Sequence, residues 1–136
     1  MGTRCVTYFF DKEEDTDPFF CLYRQFDGYR EAHGVDLSDF LCGKTLVNGI
    51  PGGVDKSTLA NGMGCLAAQF VAKMKTEVGN FYIYPPKLGE DHWQDYEYHV
   101  WPNLVRVFNG YDVKLFEGTW SEFQTWCNSD DDEEDS

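Results

Sequence analysis

Two short β-rich runs at the start of the chain constrain its fold more than any other feature. Residues 3–10, Thr-Arg-Cys-Val-Thr-Tyr-Phe-Phe, and 19–25, Phe-Phe-Cys-Leu-Tyr-Arg-Gln, concentrate the β-branched and aromatic side chains that suit a pleated surface. The acidic stretch 11–18 between them ends in Pro18 and continues neither. Runs so close in sequence predict an antiparallel hairpin whose long solvated loop carries Lys12, Glu13, Glu14, Asp15 and Asp17. Such pairing lays the start of the first strand against the end of the second. Thr3 and Arg4 then fall beside Gln25 and Asp27, and the opposite charges predict an Arg4–Asp27 ion pair.

Further along, 35–42 reads as a short helix with Asp36 as N-cap, Asp39 three positions on, Gly43 closing it and Leu37, Phe40 and Leu41 as its buried stripe. Residues 48–58 form a flexible segment. Its Lys56-Ser57 suggests a phosphate-binding loop, but that motif needs Gly immediately before Lys, and Asp55 stands there. A weaker anion site at the start of the next helix is the residual reading. That helix is expected over 58–78, where Leu59, Met63, Leu66, Ala67, Phe70, Val71, Met74 and Val78 share one face, with Gly79 ending it. Strands follow at 80–84, 95–101, 104–108 and 112–116, and Asn109-Gly110 signals a hairpin turn. In 95–101 the alternation of Tyr96, Tyr98 and Val100 with Glu97 and His99 predicts one buried face and one wet face. A last helix at 119–127 opens with Thr119 and Glu122, a capping box. The order predicts an α+β fold: two layers, a mostly antiparallel sheet with helices packed on one face, in a single domain over 1–128 followed by a disordered acidic tail at 129–136.

Composition narrows the function classes. Apolar residues at 42% and aromatics at 17% exclude a largely disordered chain. No apolar run approaches the roughly 20 residues of a spanning helix, and the start lacks a signal-peptide pattern, so a cytoplasmic protein without membrane contact is expected. Lys and Arg number 11 against 24 Asp and Glu, six of them in 130–135, so the body alone is still acidic. Direct nucleic-acid binding, which needs basic patches, is not expected; a basic protein partner is compatible with this charge. Cys5, Cys21, Cys42, Cys65 and Cys127 show no paired spacing and read as reduced, buried thiols, although Cys5 and Cys21 lie on strands expected to pair. His92, Asp95 and His99 do not have the spacing of a metal site, and no cofactor motif is present.

The richest polar stretch is 23–34, Tyr-Arg-Gln-Phe-Asp-Gly-Tyr-Arg-Glu-Ala-His-Gly. Asp27-Gly28 is a turn dipeptide suited to positive φ, and loops held between regular elements carry much of protein function. Candidate binding residues are Arg4, Arg24, Gln25, Asp27, Tyr29 and His33, expected to converge on a concavity lined by Tyr23, Phe26 and Tyr29.

The opening Met1-Gly2-Thr3-Arg4, the strand pair, Tyr23-x-Gln25-Phe26-Asp27-Gly28-Tyr29, Gly34 and the Leu37-x-x-Phe40-Leu41 helix resemble a group of small uncharacterised phage and bacterial proteins. Those proteins open Met-Gly-Thr-Arg and carry Tyr-x-Gln-Trp/Phe-Asp-Gly-Tyr before a Gly-rich loop. The resemblance spans roughly the first 42 residues and, more loosely, Phe116-Glu117-Gly118 before a Trp-containing helix. It implies a shared fold and site but no activity, and a phage-encoded member would act in the host cytoplasm. Where the group has Pro-x-Gly-x-Gly, this chain has Arg30-Glu31-Ala32-His33-Gly34.

Three functions are consistent with these readings. The first is a non-enzymatic binding or interaction protein, such as a phage accessory factor with a protein partner. The second is a small hydrolase or nucleotide-handling enzyme with Asp27 or His33 as general base and Arg4 or Arg24 as anion clamp. The third sequesters a small anionic ligand without turning it over.

Overall fold

The first hairpin forms as an antiparallel pair, as expected: β1 (Cys5–Phe9) runs against β2 (Phe20–Arg24), with Cys5 opposite Arg24 and Phe9 opposite Phe20. The structure is a computed structural model that describes residues 2–53 and 55–129; the expected acidic tail beyond 129 lies outside the described residues. After β2 come a π-helical turn at Arg30–Gly34, α1 (Val35–Cys42), β3 (Thr45–Val47), β4 (Leu59–Asn61) and α2 (Gly62–Met74). β5 (Phe81–Tyr84), β6 (Tyr96–Trp101), β7 (Leu104–Asn109), β8 (Lys114–Gly118) and α3 (Trp120–Cys127) complete the order.

The fold is α+β, with a mostly antiparallel six-stranded sheet in the order β5-β2-β1-β6-β7-β8. Consecutive hairpins join β1 to β2, and β6 to β7 to β8. β5 crosses instead to the far edge and pairs with β2, and β6 lies parallel to β1 at the centre of the sheet. A second, two-stranded sheet pairs β3 and β4 in parallel. Among the described residues, no helix is long and apolar enough to cross a membrane.

All three α-helices cover one face. Leu37 and Leu41 of α1, Met63, Leu66 and Phe70 of α2, and Phe123 of α3 pack with Cys5, Phe9, Tyr98, Val100, Val105 and Val107 of the sheet. The opposite face is not wet. Val6, Tyr8, Phe10, Cys21, Tyr23 and Trp101 form a second apolar cluster there, closed by irregular chain rather than by helices. Trp101 Nε1 donates to the carbonyl of Asp15 at 2.9 Å, and the Tyr8 hydroxyl donates to that of Lys87 at 3.2 Å. The alternation in 95–101 is therefore real, but both sets of side chains are shielded. A central strand has neighbours on each side and cover on each face, so Glu97 and His99 lie under cover rather than on a solvent boundary.

Several local expectations are corrected. Asp36 caps no helix, because the π-helical turn runs straight into α1, so the backbone before it is already helical and the carboxylate turns to Arg24 instead. α2 is shorter than 58–78: residues 59–61 pair with β3, and Lys75 leaves the helix in extended geometry, its Nζ donating to the carbonyls of Gly79 and Phe81. Val78, which the helical spacing had included, is 97% exposed. Cys5 and Cys21 occupy opposite sheet faces, one in each apolar cluster, and both are free thiols. Cys42 is exposed rather than buried. The capping box of α3 is present, with Glu122 N donating to Thr119 Oγ1 at 3.1 Å and Thr119 N donating to Glu122 Oε1 at 2.8 Å. The Asn109 side chain organises the β7–β8 turn by accepting from the backbone N–H groups of Tyr111 and Val113.

Candidate functional site

Two of the six candidate binding residues meet in the interior. Arg24 ends β2 on the helix-covered face, and the π-helical turn carries the His33 ring to it. His33 Nδ1 lies 3.2 Å from Arg24 Nη1, and His33 Nε2 lies 2.8 Å from Thr7 Oγ1 on β1. Arg24 Nη1 also donates to Asp36 Oδ2 at 3.1 Å. Because a guanidinium only donates, Nδ1 of His33 must accept, and Nε2 carries the proton that it gives to Thr7. The imidazole is thus neutral. Burial first, and the Arg24 charge second, hold its pKa down to about 3. Tyr98 and Phe70 close around the ring at centroid distances of 4.8 and 5.9 Å.

This geometry corrects the reading of His33 as a general base: its ring nitrogens are both engaged and the residue is 1% exposed, so no substrate proton reaches it. The other candidates disperse. Arg4 and Asp27 make no ion pair, although their strands pair as expected. Backbone contact holds the two segments instead, with Gly28 N donating to the carbonyl of Thr3 at 2.8 Å. The Arg4 backbone N–H donates to Asp95 Oδ2, and its side chain lies against the Tyr23 phenol. Asp27 sits exposed at φ 65°, and its carbonyl accepts from His33 N. Gly28 is required for space: a Cβ there would come within 2.8 Å of the backbone of Arg4 and Cys5. Gln25 is half-buried and Tyr29 exposed. Tyr23 stacks on Tyr84 on the other sheet face, and the exposed Phe26 ring packs against Gly2, so Tyr23, Phe26 and Tyr29 do not wall one concavity.

The loop-covered face holds a cluster that sequence reasoning passed over. Glu97 and His99 project there from β6, beside Arg106 of β7, which pairs across from His99. His99 Nε2 lies 3.0 Å from Glu97 Oε1, while Gln94 Nε2 donates to Glu97 Oε2 at 2.9 Å. Burial pushes the Glu97 carboxyl up, but the hydrogen bonds from His99 and Gln94 and the nearby imidazoles outweigh it and hold the group below the ordinary carboxylate range. His99 Nδ1 has no hydrogen-bond partner among the described residues. His99 borders a cleft of about 320 Å³ whose walls include Phe10, Trp101, Leu104 and Arg106. The Phe10 and Trp101 rings stack at 4.1 Å, and the Arg106 guanidinium lies 4.8 Å over the indole while pairing with Glu117. Glu13, Glu14 and Asp15 rim the opening. Their loop is tied down by the Trp101–Asp15 bond and by the Lys12 backbone N–H donating to Asp15 Oδ2 at 3.1 Å. A polar pair inside a strand with aromatics on both sides was the available signal.

No family model matches the chain, and neither a curated protein nor a solved structure is similar to it. Among the described residues, no group of three His, Cys, Asp or Glu is arranged to hold a metal ion.

Proposed function

We propose that the protein is a non-enzymatic binding protein that receives a basic segment of a protein partner in the cleft between the acidic 11–18 loop and the β6–β7 face. The observation that carries this reading is the pinned loop. Trp101 Nε1 holds the Asp15 carbonyl, which keeps the loop carrying Glu13, Glu14 and Asp15 at the cleft lined by Phe10 and Trp101. Carboxylates beside apolar walls suit Lys and Arg side chains, which gain ion pairing at the charged head and apolar contact along the stem. The formal net charge of −13 draws such a partner in over longer range. Resemblance of the first strands to small phage and bacterial proteins fits an accessory factor acting in a host cytoplasm.

Titration of the full chain with a short arginine peptide, followed through the Trp101 indole N–H signal, tests this. A saturable shift that weakens with salt and is lost in the double variant Glu13→Gln, Glu14→Gln supports the cleft. Shifts confined to 130–135, with the indole unmoved, assign the interaction to the tail and reject it.

A second reading, a small hydrolase, is favoured by the Glu97–His99 hydrogen bond, which orients an imidazole that lines the cleft. Ester or phosphate-ester turnover that disappears in His99→Gln at unchanged melting temperature would support it over the binding reading.

A further inference from the structure

We infer that Arg24 binds a small monocarboxylate through the Nε–Nη2 edge of its guanidinium, in the cleft between the end of α2 and the start of β5. An arginine offers five N–H donors in one plane, and their parallel pairs match the two oxygens of a carboxylate. In Arg24 only Nη1 is spent, on His33 and Asp36. Nε is buried without a hydrogen-bond partner, and Nη2 makes none among the described residues. The residue is 8% exposed and its Nε is shut off from solvent, while Nη2 is the end of this edge that solvent reaches. Buried donors left unpaired are costly, and a buried guanidinium Nε without a protein acceptor is uncommon unless something else supplies one.

The space for a ligand is beside it. Arg24 forms part of a cleft of about 190 Å³ together with Met74, Thr76, Glu77, Asn80 and Phe81. Phe81 fixes the guanidinium plane, with Arg24 Cζ 5.1 Å above its ring. Asn80 Oδ1 accepts from Phe26 N at 2.9 Å, which leaves the Asn80 amide as a donor, and the Thr76 hydroxyl is a second polar group on the wall. Met74 and Phe81 supply apolar surface for a short alkyl or aryl tail. Charge selects the class further. Glu77 lines the same cleft and Asp36 already shares Arg24, so a dianion such as phosphate meets more repulsion than a single carboxylate. His33 is neutral and adds none. This site lies on the helix-covered face, away from the cleft of the proposed function, and stands or falls independently of it.

The test uses the full chain, labelled with nitrogen-15, titrated with sodium butyrate, and with sodium phosphate and sodium chloride at matched ionic strength. The readout is the Arg24 Nε–H resonance. A saturable shift with butyrate that is absent with chloride and weaker with phosphate is expected. Asn80→Asp keeps an acceptor for Phe26 N but places a negative charge in the cleft, so it weakens butyrate binding by at least about tenfold at an unchanged fold. A resonance that stays put through tens of millimolar butyrate overturns the inference, as does equal or stronger response to phosphate, or full affinity in Asn80→Asp. Because these readouts need no substitution of Arg24 itself, loss of folding in an Arg24 variant does not obscure the result.

Discussion

A histidine that spends its two ring nitrogens inside a core ties stability to its own neutrality. His33 accepts from Arg24 and donates to Thr7, and its pKa is held down to about 3 against an ordinary value near 6.5. In the unfolded chain it binds a proton as pH falls through about 6.5, whereas the folded chain resists until far lower. The unfolded state thus holds more protons in that window. Stability contributed by His33 is complete above pH 6.5 and declines toward pH 3, at up to about 1.4 kcal/mol per pH unit. Denaturant unfolding of wild type and His33→Gln across this range should show a steeper decline for wild type; parallel curves would mean that the ring takes up a proton as easily folded as unfolded. The imidazole was visible in the sequence as part of a polar loop. Its role was not, because Thr7 is 26 positions away and only strand pairing brings it within reach.

Elements in this protein are shaped by what they must approach. The π-helical turn at Arg30–Gly34 swings His33 inward and sets Gly34 against α3, where a Cβ would lie 2.8 Å from Cys127 Sγ. Gly34→Ala therefore overpacks the contact between this turn and α3, and a loss of about 1–3 kcal/mol in denaturant unfolding is expected. A changed fluorescence of Trp126, which stacks on Phe116 at 5.0 Å, should accompany it. An unaltered midpoint would indicate that α3 shifts freely. Elements whose limits are local were legible: β1, β2 and the span of α1 fall where propensity puts them, and the capping box of α3 forms as expected, whereas α1 lacks the Asp36 cap. The ends of α2 were not, since pairing of 59–61 with β3 and capture of Lys75 by two carbonyls override helical spacing.

At the scale of the whole molecule, net charge dominates the response to solvent. With a formal charge of −13, the folded chain concentrates like charges that the unfolded chain spreads out. Raising salt from about 0.01 M to about 0.1 M shortens the screening length from roughly 30 Å to roughly 10 Å. The melting temperature should rise by several degrees over that range. A fall would show that favourable pairs such as Arg24–Asp36 and Arg106–Glu117 outweigh the general repulsion.

Sequence alone determined what depends on neighbours in the chain: the α+β class, the first hairpin, the apolar stripes of the helices and the acidity. Alternating or helical spacing reports which side chains share a face, and short turns report which strands can pair directly. Tertiary structure decided everything that depends on what covers each face. It sent β5 to the edge beyond β2, set β6 parallel to β1, and turned the expected wet face into a second apolar cluster around Trp101. It also divided the 23–34 loop, burying Arg24 and His33 while leaving Asp27 and Tyr29 outside, and it brought His99 and Arg106 from two strands to one cleft, with Glu97 hydrogen-bonded to His99. Local patterns carry the first kind of information because backbone geometry repeats every few residues. The second requires loops tens of residues away to close over the sheet, and no local period records where they land.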